Sequence, residues 1–157
     1  MLSPLLAMVV ASCTETANKP APDLSLKTID NQNIKLSDLK GKVVVLDFWA
    51  TWCPPCRESL PNLAKLSADS SLANRGLKVI AIHASQGADK AKGYVEDNHL
   101  PLTVALDLDG SAEQTYKVDG IPTTIVIGRD GTIQHTIVGF GGKETEDELN
   151  AAIEKAL

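Results

Sequence analysis

The chain has 157 residues, of which 43% are hydrophobic and 22% charged, and these proportions are those of a single globular domain. Its net charge of −5 argues against nucleic acid as a partner, because nucleic-acid binding needs a basic surface. No apolar run approaches the roughly 18 residues of a membrane-spanning helix.

The first residues have the pattern of an export signal. Residues 2–10 are almost wholly apolar and are followed by the small residues that signal cleavage requires. The run Val10-Ala11-Ser12-Cys13 resembles a bacterial lipobox, although no Lys or Arg precedes the apolar stretch. We predict a lipoprotein signal peptide over 1–12 and lipidation of Cys13, which would hold the protein on a membrane in the bacterial periplasm or cell envelope. The alternative is an N-terminal strand or helix with an incidental cysteine.

Residues 13–22 are polar and contain two prolines, so they are predicted to form a flexible tether. The globular domain is predicted over 23–157. It opens with two short alternating segments around Asp30-Asn31, which is the pattern of a β-hairpin. Ser37 follows as a candidate N-cap of a short helix.

The strongest strand signal lies directly before a pair of cysteines. Residues 43–49, VVVLDFW, form a continuous apolar run with one acid and predict a central strand buried on both faces. Apolar residues then recur at a helical spacing over 58–67. Cys53 and Cys56 are therefore expected on the turn from this strand into a helix.

The remainder of the chain alternates strands and helices and ends in a hairpin and a helix. Strands are predicted over 78–84, 103–106, 123–127 and 132–138, with helices over 89–98, over 111–116 and from 145 onward. The candidate capping boxes are Ser111 with Gln114 and Thr145 with Glu148. This order predicts an α/β fold with a mixed central sheet and helices on both faces.

Cys53 and Cys56 form a C-x-x-C pair, and positions i and i+3 of a first helical turn meet the Cα separation of about 4.4–6.8 Å that a disulfide needs. At a helix N-terminus the macrodipole and the free N–H groups favour a thiolate, so Cys53 is the predicted attacking group and Cys56 the resolving thiol. Pro55 suits the first helical turn. The cysteines and histidines show no zinc-ligand spacing, so neither a metal nor a cofactor besides this redox-active disulfide is expected. A purely structural disulfide is the alternative.

Asp47 is the acid inside the buried run. Burial is expected to raise its pKa, so that it takes up and releases a proton near neutral pH. The loop after the next strand, residues 84–87, contains Gln86 but no carboxylate, so no second acid is expected there. The alternative is a structural acid that is hydrogen-bonded at the end of a strand.

The run DFWATWCPPC, from Asp47 to Cys56, and the later run Gly120-Ile121-Pro122-Thr123-Thr124 resemble the active site and the cis-proline loop of the thioredoxin superfamily. With the hairpin and the lipobox, the chain resembles the TlpA/ResA/DsbE-like branch of exported thiol–disulfide oxidoreductases. The resemblance implies a thioredoxin fold and a cis peptide bond before Pro122, packed against the cysteines. A trans proline that opens a strand is the alternative. By the same resemblance, Asp47 relays a proton for Cys56.

The resemblance also implies how partner proteins are bound. The backbone of Ile121 pairs with the partner's chain, Trp52 and Pro122 add an apolar contact surface, and Pro54-Pro55 tunes the reduction potential. The partners are disulfides or dithiols of other proteins, and a membrane electron donor and a monomeric state are expected. The first hypothesis is a reductase of extracytoplasmic protein disulfides. The alternatives are a disulfide-donating oxidase or isomerase, a peroxide reductase, and a non-catalytic binding module.

Overall fold

The computed structural model describes residues 18–84 and 87–157. The predicted signal peptide, Cys13 with part of the predicted tether, and Gln86 lie outside the described residues. Among the residues described, no helix combines the length and the apolar character that crossing a bilayer requires.

The described chain forms one seven-stranded sheet with five α-helices and a short 3₁₀ helix. The elements in chain order are β1 (Ser25–Thr28), β2 (Asn33–Lys35), the 3₁₀ helix (Leu36–Leu39), β3 (Val43–Trp49), α1 (Pro54–Ala68), α2 (Ser70–Asn74), β4 (Leu77–His83), α3 (Ala88–Asp97), β5 (Thr103–Leu106), α4 (Ser111–Thr115), β6 (Thr123–Ile127), β7 (Ile133–Val138) and α5 (Lys143–Ala156).

The strands lie in the order β2-β1-β5-β4-β3-β6-β7 across the sheet. β4 pairs in parallel with both β3 and β5, whereas the other neighbouring strands are antiparallel. The predicted mixed sheet and N-terminal hairpin are confirmed.

The central strand β3 is buried along its whole length, as its apolar run predicted. Val45 and Trp49 belong to the hydrophobic cluster formed with α1, α3 and α5. Leu46 and Phe48 point the other way, into the cluster that includes residues of the 3₁₀ helix and α4. The prediction of helices on both faces is therefore confirmed. Because side chains alternate along a strand, Asp47 lies on the α1 side of the sheet with Val45 and Trp49.

All three predicted N-caps are wrong because the helices begin earlier than the sequence suggested. The 3₁₀ helix begins one residue ahead of Ser37, whose N–H donates to the Asp23 carboxylate at 2.9 Å. α5 begins ahead of the predicted cap Thr145, and so also ahead of its box partner Glu148. The N-cap residue of α5 is Gly142, which has a φ of 78° and no side chain that could cap the helix.

The start of α4 corrects the predicted capping box of Ser111 and Gln114, because Ser111 is already the first helical residue. The buried Asp107 carboxylate accepts hydrogen bonds from the N–H groups of Ala112 and Glu113, both at 2.9 Å. A carboxylate from the end of β5 thus satisfies the first turn of the helix and fixes α4 beside the sheet.

Residues 18–21 enter the domain alongside β7, at the end of the sheet where β3 begins. The Asn18 N–H donates to the Ile133 carbonyl at 2.7 Å, and the Ala21 N–H donates to the Gly131 carbonyl at 2.9 Å. The cysteine pair lies at the opposite end, where β3 ends. The predicted flexible tether is therefore wrong over residues 18–21, because backbone hydrogen bonds fix them to β7 and the preceding turn. These contacts set the point of chain entry at the pole away from the cysteines.

Arg129 joins three segments of the chain at this same pole. Its guanidinium donates to the carbonyls of Gly41 at 3.0 Å, Arg75 at 2.6 Å and Leu157 at 3.3 Å. Gly76 is required beneath it, because a Cβ there would lie 2.8 Å from Arg129 Nη1 and the φ of Gly76 is 102°. One side chain therefore links the start of β3, the entry to β4 and the C-terminus.

Candidate active site

Cys53 and Cys56 are joined by a disulfide at the start of α1, with their Cα atoms 5.3 Å apart. Cys53 is the N-cap residue of the helix, and its Sγ accepts a hydrogen bond from the Cys56 N–H at 3.3 Å. Pro54 and Pro55 occupy the first helical positions, where an N–H would have no intrahelical partner. The prediction that the pair lies on the turn from β3 into a helix is confirmed.

The loop before β6 lies against the disulfide. The carbonyl oxygen of Ile121 is 3.8 Å from Cys53 Sγ. The peptide bond between Ile121 and Pro122 is cis, as predicted. Pro122 is buried, and its carbonyl accepts the N–H of Gly139 at 2.8 Å. The fold thus brings the two predicted motifs, far apart in sequence, to one end of the sheet.

Trp52 is the most exposed aromatic side chain near the disulfide, with 67% of its surface accessible. Together with Ile121 it lines a shallow groove of about 380 Å³. The other groove residues include Glu113, Val118, Asp119 and Gly120. Burial and the nearby Asp107 carboxylate raise the pKa of Glu113. Glu113 and Asp119 give the predicted apolar contact surface an acidic side, which was not predicted.

Asp47 is fully buried and lies opposite Thr124 in the antiparallel pairing of β3 with β6. The Thr124 hydroxyl donates to Asp47 Oδ1 at 2.7 Å. Asp47 Oδ2 has no hydrogen-bond partner among the residues described. Burial raises the pKa of Asp47 to about 7, and the hydrogen bond from Thr124 opposes this rise. The predicted burial of Asp47 is confirmed.

The side of the sheet that holds Asp47 also holds the disulfide. Cys53 and Cys56 belong to the same hydrophobic cluster as Val45 and Trp49, the two neighbours of Asp47 on that face of β3. The acid and the resolving cysteine are therefore both buried on the side of the sheet that packs against α1.

Comparison with known proteins supports the assignment that the site geometry suggests. A family model described as Redoxin matches residues 16–153. The chain belongs to the Redoxin family.

Three relatives refine this assignment. The thiol-disulfide oxidoreductase ResA of Bacillus cereus is 32% identical over 137 residues, which are 87% of this chain and 76% of that protein. A crystal structure of a candidate thiol:disulfide interchange protein DsbE from Chlorobium tepidum has a TM-score of 0.80 and 34% identity, and the match covers 89% of this chain and 96% of that chain. The exposed lipoprotein thioredoxin of Streptococcus pneumoniae has a TM-score of 0.71 and 28% identity, with 85% of this chain and 99% of that chain covered.

This Redoxin protein therefore has the thioredoxin fold and is similar to the TlpA/ResA/DsbE-like group. Its chemistry is thiol–disulfide exchange, as the C-x-x-C pair predicted. These matches confirm the family that the two sequence motifs indicated.

Two polar residues of the Redoxin site were missed by the sequence analysis. Thr124 was assigned only to the proline loop and the following strand, yet its hydroxyl contacts the buried acid. Ser59 is buried in α1, and its hydroxyl donates to the Cys56 carbonyl at 2.9 Å. Both residues occupy regular elements, and their partners depend on strand register and helix rotation. A register predicted across β3 and β6 would have found Thr124.

Proposed function

We propose that this Redoxin protein reduces disulfides of extracytoplasmic protein partners through Cys53 and Cys56. The observation that carries the proposal is the arrangement of a disulfide at a helix N-terminus, against a cis-proline loop, with a buried carboxylate on the same side of the sheet. The helix start stabilises an attacking thiolate at Cys53. The backbone of the proline loop can hydrogen-bond to a partner chain, and the Asp47 carboxylate can accept the proton of the Cys56 thiol.

The first step uses Cys53. In the reduced protein its sulfur is the thiolate, because it lies at the positive end of α1 and receives the Cys56 N–H. This thiolate attacks one sulfur of a partner disulfide and forms a mixed disulfide. The partner's own S–S bond breaks, and its other sulfur leaves as a thiolate that takes a proton from water. Ile121 and Trp52, which border the cysteine, hold the partner segment.

The second step uses Cys56 and Asp47. The Asp47 carboxylate accepts the Cys56 thiol proton as the Cys56 sulfur attacks Cys53 Sγ. The bond between Cys53 and the partner breaks, and the partner leaves as a second thiolate, which is protonated by water. Two electrons have then passed to the partner, and the Cys53–Cys56 disulfide has formed. Asp47 returns its proton to solvent, and a dithiol donor from the membrane restores the reduced state.

The proposed location on a membrane rests on the N-terminal sequence. Cleavage after residue 12 would make Cys13 the first residue, and a lipid there would anchor a domain to which the chain is bound from residue 18 onward. Support comes from the lipobox-like sequence and from the relative described as an exposed lipoprotein thioredoxin. Changing Cys13 to Ala in the producing cell should release the protein from the membrane fraction. Mass spectrometry of the native N-terminus should find a lipid on Cys13, and an unmodified cysteine would refute this part of the proposal.

The direction of electron flow is tested by the reduction potential of the Cys53–Cys56 couple. The full chain with Cys13 changed to Ser is equilibrated in glutathione buffers, so that only the active pair titrates. A potential of about −270 mV, the value of thioredoxin, supports a reductase. A potential of about −120 mV, the value of DsbA, would make the protein a disulfide donor and overturn the proposed direction.

A non-catalytic binding role is tested separately with Cys56→Ser. This variant keeps the attacking thiol and lacks the resolving one, so partner proteins should accumulate on Cys53 as mixed disulfides that a reducing agent releases. The matched control is Cys53→Ser, which should trap none. If Cys56→Ser also trapped none, the binding-module alternative would replace the proposed reductase.

A further inference from the structure

The partner of the buried acid is a single hydroxyl on the neighbouring strand. Asp47 and Thr124 face each other in the β3–β6 pairing, and the Thr124 Oγ1 to Asp47 Oδ1 distance is 2.7 Å. Both residues are buried, with 0% of Asp47 and 7% of Thr124 accessible. A hydrogen bond between such groups is not exchanged with water, so it sets where the carboxyl group points.

The two carboxyl oxygens of Asp47 are thereby made different. Oδ1 is occupied by the Thr124 hydroxyl, whereas Oδ2 has no partner among the residues described. The torsion that rotates a carboxyl group is soft and roughly two-fold, so the strand alone would not hold one orientation. The hydroxyl of Thr124 supplies the missing restraint.

We propose that Thr124 is a positioning residue for Asp47: its hydroxyl holds Oδ1 and leaves Oδ2 to exchange the proton of the Cys56 thiol. This inference rests on the proposed role of Asp47 as the base of the second step. Thr124 touches neither the partner nor the reacting sulfurs, and it acts only through the carboxyl group.

The electrostatic balance of the site supports this role. Burial disfavours the carboxylate form, and the Thr124 hydrogen bond stabilises it, which opposes the rise in the pKa of Asp47. Other titratable groups lie on the elements around the pair: Cys56 on α1, His83 on the same face of β4, and Glu146 of α5 beside Thr124. A test must therefore separate Asp47 from these groups.

Ellman's reagent, an aromatic disulfide, separates the two steps of exchange. The thiolate of Cys53 attacks it and releases one thionitrobenzoate. Cys56 then attacks Cys53 Sγ and releases the second, while its proton passes to Asp47. The second phase of release, followed by stopped flow from pH 5.5 to 9 in the reduced full chain with Cys13 changed to Ser, reports the proton transfer, and the first phase serves as an internal control.

Thr124→Val keeps the shape of the side chain and removes the hydroxyl. Loss of a hydrogen bond to the carboxylate should move the second-phase pH profile upward by about one pH unit, so that this phase is about tenfold slower below the inflection. The first phase should be unchanged. Thr124→Ser restores a hydroxyl and should restore the original profile. A merely structural role for Thr124 would lower stability without moving the profile.

Measurements in the Asp47→Asn variant show whether Asp47 causes the pH dependence of the second phase. Asp47→Asn should remove the inflection, and adding Thr124→Val to it should change the second phase no further. If Asp47→Asn removes the inflection but Thr124→Val leaves it in place, the role of Thr124 is refuted and that of Asp47 stands. If Asp47→Asn has no effect, the proposed base is wrong and this inference fails with it. Should Thr124→Val not fold, Thr124→Ala is judged by the same criteria.

Discussion

Replacing Asp47 by Asn should stabilise the oxidised protein at neutral pH, even though it should impair exchange. Asn has nearly the shape of Asp, and its side-chain oxygen can still accept the Thr124 hydrogen bond seen at 2.7 Å. The substitution removes an ionisable group from a position that no solvent reaches. The fold then no longer has to accommodate a buried charge.

The size of the effect follows from the pKa of Asp47, which burial raises from 3.8 to about 7. Between these values the folded protein keeps a proton that the unfolded chain has lost. The wild-type free energy of unfolding therefore falls as pH rises from about 4 to about 7 and is level above that. At 1.36 kcal/mol for each unit of pKa, the fall amounts to as much as about 4 kcal/mol.

Urea unfolding at intervals from pH 4 to 8, with the disulfide intact, measures this difference. Wild type and Asp47→Asn should have similar stability near pH 4 and diverge as pH rises, with the variant more stable at pH 7.5. Asp30→Asn, in the exposed hairpin turn, is the matched control and should keep the pH dependence of the wild type. A wild-type-to-variant difference that stays constant from pH 4 to 8 would refute the assignment of a buried, neutralised acid.

Three further substitutions probe the remaining parts of the structure. Cys56→Ser, with Cys13 also changed to Ser, should release one thionitrobenzoate from Ellman's reagent instead of two, since the resolving thiol is gone; two would mean that resolution does not need Cys56. Trp52→Ala should lower kcat/KM for protein disulfides severalfold and change the unfolding free energy by less than about 0.5 kcal/mol, because 67% of the side chain is exposed. Arg129→Met should lower the unfolding free energy by about 1 kcal/mol, through loss of its bonds to three carbonyls, and leave exchange rates unchanged; slower exchange would contradict its placement at the far pole.

The elements with strong local signals were predicted well. β3 matches its predicted bounds, because a continuous apolar run of seven residues is typical of a strand that is buried on both faces of a sheet. The positions of Cys53 and Cys56 followed from the same run. The cis bond before Pro122 came from a resemblance in sequence, which local physics could not have supplied.

Features that depend on distant partners were not predicted. The first-turn N–H groups of α4 donate to the carboxylate of Asp107, five and six residues earlier in the chain, so the local box of Ser111 and Gln114 was the wrong signal. The contact of Thr124 with Asp47 depends on the register of two strands separated by most of the domain. Periodicity identifies a strand, but it does not say which residue will lie opposite which.

The entry of the chain beside Ile133 determines how the proposed lipoprotein would stand on a bilayer. Residues 18–21 are bound at the pole where β3 begins, and the active cysteines lie where β3 ends, a strand length of about 20 Å away. Between a lipid on Cys13 and this attachment only a few residues remain, so that pole would face the lipid headgroups. Cys53 would then point outward from the membrane. An integral-membrane donor would have to carry a projecting domain to reach it, while protein substrates free in the envelope could approach the outward face without obstruction.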